Sequence, residues 1–283
     1  MKNRIITGLL IGIIVIPLLL LGNIPFLIGI LLLIGGVALE ICNIKKHNLS
    51  IKILTLLLVI GTALYNYFNL DSNLNMNVLF IFAPIFIYYL IALWYEKFDF
   101  KEATFLGIFV ILMNLFSKSI LYIRSINNNA NALAFVIITT CAVDVFALFV
   151  GCKFGKHKLN PRISPKKSIE GSIGGIVCSL ILAFILNLFF PVFSSNIETT
   201  NVLNLAYNTN LNLVEPLKVL FIALVLTITG QLGDLVFSMI KRHYEIKDFS
   251  NLLPGHGGLT DRIDSICFNT IFFQLMFTLL LTI

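Results

Sequence analysis

The residues able to do chemistry crowd between positions 234 and 264. Asp234 lies inside an apolar stretch, with Ser238 four residues on and Lys241 seven. At about 3.6 residues per turn these three share one helix face. A carboxylate, a hydroxyl and an ammonium on one stripe suit a metal-bound phosphate. Gly230 and Gly233 lie on or next to that face and permit close backbone approach. Lys241, Arg242, Lys247 and Arg262 supply positive charge for phosphates. Gly255, Gly257 and Gly258 allow sharp turns, whose exposed amides form anion-binding nests. Asp261 and Asp264 are three apart, so on a helical turn they lie on one face. With Asp234 they offer oxygen ligands to a hard cation. His256 suits a general base or a phosphate donor, and equally a backbone bond between its glycines.

A second polar segment repeats the theme. Gly151, Gly155 and Lys156 precede Ser164-Pro165-Lys166-Lys167-Ser168-Ile169-Glu170-Gly171. Pro165 reads as a turn before a new helix. Lys166 and Lys167 suit a triphosphate or an anionic lipid headgroup, although each also fits plain topology signalling. Glu170 suits helix N-terminal electrostatics as well as chemistry. Asp144, like Asp234, falls inside an apolar span. A carboxylate there costs about 3 kcal/mol on insertion scales, which makes it a functional candidate by default. The plainer alternative is a bond to a neighbouring helix.

These residues need a frame, and composition says what kind. Hydrophobic residues make up 58% of 283 positions and charged residues 12%. A soluble domain carries about 25% charged residues, so the surplus apolar surface calls for a bilayer. Five cysteines, in no paired or metal-type spacing, argue against disulfides and structural zinc. A spanning helix needs about 20 apolar residues. Stretches 5–21, 24–41, 51–68, 77–94, 103–123, 133–150, 172–193, 216–240 and 265–282 qualify. The first has no A-x-A-like cleavage site and reads as a retained helix. The second, interrupted by Gly35-Gly36 and ending in Glu40, is the least regular. With the N-terminus in the cytoplasm, all of the 20 basic residues except Lys118, Arg124 and Lys218 fall inside. The segments left for the other face are the short Gly22-Asn23 and the Asn-rich 69–77, 127–131 and 194–214. The fold expected is all-α and polytopic, with about nine transmembrane helices. Residues 1–132 form a scaffold, and 133–283 a catalytic region with cytoplasmic loops 151–171 and 241–264. No internal repeat of the kind found in many transporters is visible.

The run from Ser238 through Ile240-Lys241-Arg242, Lys247-Asp248, Pro254, His256-Gly257-Gly258-Leu259 to Asp261-Arg262-Ile263-Asp264 resembles the signature of phosphatidate cytidylyltransferases. Gly230-x-x-Gly233-Asp234-Leu235, Ser164 to Gly171, and Asp144-x-x-Ala147 are similar to flanking motifs of that family, with Ser168 where Thr is common. The resemblance is sharp over about 140–264 and implies a membrane enzyme of phospholipid biosynthesis. Its substrates would be CTP and phosphatidate, its products CDP-diacylglycerol and pyrophosphate. It further implies Mg2+ with a possible second, monovalent cation such as K+, a homodimer, and no nucleic acid partner. Asp234, Asp261 and Asp264 would be the metal carboxylates, and with Lys241 the catalytic set. Ser164, Lys166, Lys167, Ser238, Arg242, Lys247, His256, Gly257, Gly258, Arg262 and Asp144 would bind substrate. The site would face the cytoplasm at the cell membrane. A CTP-dependent lipid kinase, a synthase for ether lipids, a transporter and a membrane scaffold are the competing expectations.

Overall fold

A computed structural model of the chain describes residues 2–70, 78–126, 130–189 and 214–281. Among these, α1 (Lys2–Leu21), α2 (Asn23–Ile44), α3 (Leu49–Phe68), α4 (Val78–Trp94) and α5 (Phe100–Ser125) come first. They are followed by α6 (Asn131–Phe154), α7 (Ile169–Phe189), α8 (Val214–His243) and α9 (Thr260–Leu281). Each lies over one of the stretches expected from hydropathy. Among the described residues six segments are long and apolar enough to cross a membrane: α2, α3, α5, α6, α7 and Pro216–His243 of α8. Leu32, Leu57, Phe149 and Ile181 stand exposed on these helices, as suits a surface that faces hydrocarbon. The protein is an all-α polytopic membrane protein. Most of the segments assigned to the outer face, and residues 190–193, lie outside the described residues.

The chain packs as two compact units, Met1–Tyr122 with Ile246–Ile263, and Ile123–Glu245 with Asp264–Ile283. Segment 246–263 thus packs with the N-terminal helices. The Gly35-Gly36 pair that made the second stretch look irregular explains part of that packing. A Cβ at Gly36 would come within 2.5 Å of Leu259 Cδ1, so the missing side chain is the seat of Leu259. Within the same unit α2 packs on α1 and α3. Polar bonds tie further helices together. The Asn66 side-chain amide of α3 donates to Asn114 Oδ1 (2.7 Å), to the Asn114 carbonyl (3.1 Å) and to Ser117 Oγ (3.0 Å) on α5. Thr55 Oγ1 and the Tyr88 hydroxyl, both buried, meet at 2.7 Å between α3 and α4.

In the other unit α7 packs along α6 and α8. The approach to α6 is close: a Cβ at Gly175 would stand 2.9 Å from both Ala147 Cβ and the Val143 carbonyl. Small residues at such a seam are how spanning helices gain contact without a hydrophobic driving force.

Segment 151–171, expected as a loop, is largely ordered. Helix α6 runs on to Phe154, and an antiparallel hairpin follows, β1 (Lys158–Asn160) with β2 (Ser164–Ser168). Asn160 Oδ1 accepts the Ile163 amide at 3.2 Å and closes the turn. Pro165 therefore sits within a strand instead of in a turn, and the expected helix begins at Ile169. A two-stranded ribbon has only edge strands, where a residue without an amide hydrogen is allowed. Ser168 Oγ accepts the Gly171 amide at 3.1 Å and caps α7, the use for which a hydroxyl at that position is suited.

Interhelical side-chain bonds in membranes average about 0.6 kcal/mol and reach about 1.7. Asn66→Ala removes three of them at once. It should lower the melting temperature in detergent by the equivalent of about 1–2 kcal/mol. An unchanged melting curve would show that the network does not hold α3 to α5.

Candidate active site

The candidate residues divide between the two units. In the first, the turn 253–258 is folded by its glycines. Gly255 and Gly257 have φ of 79° and 80°, the left-handed region that side chains disfavour. The Leu253 amide donates to the Gly257 carbonyl and the His256 amide to the Leu253 carbonyl, each at 2.9 Å. Asp261, in the first turn of α9, locks the loop from the other side. Its Oδ2 accepts the Phe249 and Gly258 amides, both at 2.9 Å.

Glu40 was expected only as an irregularity at the end of an apolar span. It is 5% exposed, and donors from the distant loop converge on it. Oε1 accepts Ser250 Oγ (2.6 Å) and the Leu259 amide (2.8 Å). Oε2 accepts the Thr260 amide (2.8 Å) and Thr260 Oγ1 (2.7 Å). The signal in the sequence was the carboxylate within an apolar helix, the same signal that singled out Asp144 and Asp234. His256 Nδ1 meets Thr7 Oγ1 at 2.5 Å, so the imidazole is engaged by α1. Thr7 carried no mark in the sequence that would have set it apart. Arg262 and Lys247 are exposed.

In the second unit the strand alternation of β2 separates the two lysines read as a pair. Lys166 is exposed, whereas Lys167 turns inward to form an ion pair with Asp234 Oδ2. Its Nζ also stands 3.9 Å from Asp144 Oδ1. Asp264 interacts electrostatically with Asp234, Asp144 and Lys241. Its own Oδ1 accepts the Ser265 amide at 2.8 Å. Gly233 sets the spacing between α8 and α9, since a Cβ there would come 3.1 Å from the Asp264 carbonyl and 3.0 Å from the Phe268 ring. Lys241 and Ser238 are both buried to 9% exposure near the end of α8. Arg242 Nε donates to the Ile163 carbonyl at 3.3 Å, which ties the end of α8 to the hairpin turn that carries Ser164. Glu170 accepts the Lys156 amide at 3.1 Å, the His157 amide at 3.2 Å and His157 Nδ1 at 2.6 Å, and so closes the base of the hairpin onto α7.

Lys167 thus stands between Asp144 and Asp234, and Asp264 lies within electrostatic reach of both carboxylates and of Lys241. Carboxylate oxygens are the donor type that hard divalent cations take. Among the described residues no set of three or more His, Cys, Asp or Glu side chains is arranged as a ready metal site. Asp261 stands one helical turn before Asp264 on α9.

The sequence model described as the cytidylyltransferase family matches residues 2–280. The phosphatidate cytidylyltransferase of Bacillus subtilis (strain 168) is 34% identical over 275 residues, covering 95% of this chain and 94% of that protein. The protein of the same name from Staphylococcus haemolyticus is 33% identical over 271 residues, covering 95% of each. That of Thermotoga maritima is 29% identical over 273 residues, covering 95% of this chain and 93% of its own length.

The Lys167–Asp234 pair can be tested on the folded protein. Lys167→Gln should lower the melting temperature, and Asp234→Asn should cost much less in that background than alone. The coupling should be about 1 kcal/mol, within the range of contacting charged pairs. Strictly additive shifts would show that the two side chains do not interact.

Proposed function

Since the chain belongs to the cytidylyltransferase family, we infer that it transfers the cytidylyl group of CTP to phosphatidate, forming CDP-diacylglycerol and pyrophosphate. The full-length likeness to phosphatidate cytidylyltransferases supports the substrates. The observation that carries the chemistry is Lys167 paired with Asp234 and near Asp144, with Asp264 and Lys241 in electrostatic reach.

The reaction brings two anions together. A phosphate oxygen of phosphatidate attacks the α-phosphorus of CTP in line. The bond from that phosphorus to the bridging oxygen breaks, and pyrophosphate leaves with the electron pair. Phosphatidate is already ionised near neutral pH, so no protein nucleophile is required. The protein's task is positioning and charge neutralisation, the main sources of catalysis in phosphoryl-type transfer. Lys241, Arg242 and Arg262 stabilise the triphosphate and the departing pyrophosphate. Lys166, Lys167, Lys247, Ser164 and Ser238 complete the contacts to phosphate oxygens, and Asp144 orients the lysine between the carboxylates. Gly257 and Gly258 present backbone in the turn, and His256, held by Thr7, shapes it and borders the nucleotide.

Asp234, Asp264 and Asp261 are the residues we assign to Mg2+, which when bound offsets negative charge on the phosphates. A monovalent ion such as K+ beside it, a homodimeric assembly, and a site on the cytoplasmic face of the cell membrane belong to the same reading. The segregation of basic residues supports that sidedness.

The test is an assay on purified protein with phosphatidate, Mg2+ and CTP labelled separately at the α and γ positions. Label from the α-phosphate should enter the lipid as pyrophosphate is released. Label from the γ-phosphate in an added polyprenol or phytol, with CDP released, would instead make the protein a lipid kinase. Asp261→Asn retains an oxygen able to accept the Phe249 and Gly258 amides but loses the charge. It should fold and insert normally while turnover falls at least about 100-fold, the scale for losing one transition-state stabilising group. Turnover like the wild type would remove Asp261 from the metal assignment.

A further inference from the structure

We propose that Glu40 is a positioning residue for this reaction: from the end of α2 its carboxylate holds the Gly258–Thr260 turn and, through it, sets Asp261. The proposal rests on the reaction stated above for its catalytic consequence, and on geometry alone for its structural one.

The turn has a missing part that Glu40 supplies. The Arg262 amide donates to the Leu259 carbonyl at 3.0 Å, so Leu259 stands at the mouth of α9, where the Leu259 and Thr260 amides have no acceptor within the helix. Leucine has no acceptor. Its side chain is committed to packing over Gly36, and the acceptor comes from Glu40, four residues further along α2. One face of α2 therefore reads the turn twice, by shape at Gly36 and by charge at Glu40. Both Glu40 oxygens are used, each by one backbone amide and one hydroxyl. A carboxylate at a helix N-terminus also complements the positive end of the helix dipole.

The site next to Glu40 is built without slack. A Cβ at Gly258 would stand 2.7 Å from each Glu40 oxygen. The same Gly258 sends its amide to Asp261 Oδ2, so displacement of the turn is transmitted directly to the assigned metal carboxylate. Gln at position 40 keeps the volume but replaces one acceptor with an NH2 group that faces a backbone amide or a hydroxyl hydrogen. An unpaired buried donor follows.

The experiment combines hydrogen–deuterium exchange with kinetics on the full chain in detergent, for wild type, E40Q, E40D, G258A and E40D/G258A. In E40Q, peptides covering 250–261 should exchange at least about fivefold faster while α6, α7 and α8 keep wild-type protection. Its kcat should fall about 10- to 100-fold, the range for residues that orient metal ligands. The Mg2+ concentration for half-maximal activity should rise, and the KM for phosphatidate should change little. G258A should reproduce these effects. The shorter E40D should restore activity to G258A by withdrawing the carboxylate from the new methyl group. Unchanged exchange at 250–261 in E40Q would overturn the proposal. So would faster exchange across the whole chain, with activity lost only in proportion to unfolding. If wild type transfers no cytidylyl group to lipid, the reaction assigned above fails, and the exchange pattern still decides whether Glu40 holds the turn.

Discussion

A carboxylate withdrawn from water at a membrane must be met by donors or cations, and the polar architecture of this chain follows from that demand. Leaving such a charge unmatched costs several kcal/mol. Glu40 and Asp261 meet the demand with hydrogen bonds, largely from backbone amides. Asp234 meets it with Lys167. The two solutions have different consequences. Amide donors fix a loop in one conformation, whereas an ammonium on a side chain can exchange a carboxylate for an incoming phosphate. The first kind of partner builds the frame, and the second suits a group that takes part in binding.

The hairpin between α6 and α7 shows how a short irregular segment can be made rigid enough for this purpose. An Asn side chain closes its turn, Glu170 gathers amides at its base, and Ser168 converts its last residue into a helix cap. Arg242 then fastens the turn to the end of α8. Successive residues in a strand point to opposite sides. Neighbouring lysines of one basic run thereby acquire separate surroundings, Lys166 in solvent and Lys167 among carboxylates. Charge counts along the chain treat them as equivalent, and the pleat does not.

Chemistry between two phosphates asks chiefly for positive charge at fixed positions. The lysines and arginines proposed for this come from strand, helix end and loop, while the glycines let backbone and side chains approach closely. Gly233 and Gly258 serve the same end by different means. One lets α8 and α9 close around Asp264, and the other leaves room for a carboxylate beside the turn.

Helix positions were legible in the sequence because a spanning segment is a local property: about 20 apolar residues in a row suffice to define it. The motif from Ser238 to Asp264 was legible for a similar reason, since its residue types and spacing are local, and it pointed to phosphate chemistry before any contact was known. Other features came only with the tertiary structure. These are the partners of Glu40, which lie 210 to 220 residues away, the pairing of Lys167 with Asp234, the bond from Thr7 to His256, and the hairpin in place of a loop. A side chain's type states what kind of partner it needs. Which partner it receives depends on how distant helices pack, and hydropathy, which treats every apolar face alike, carries no record of that.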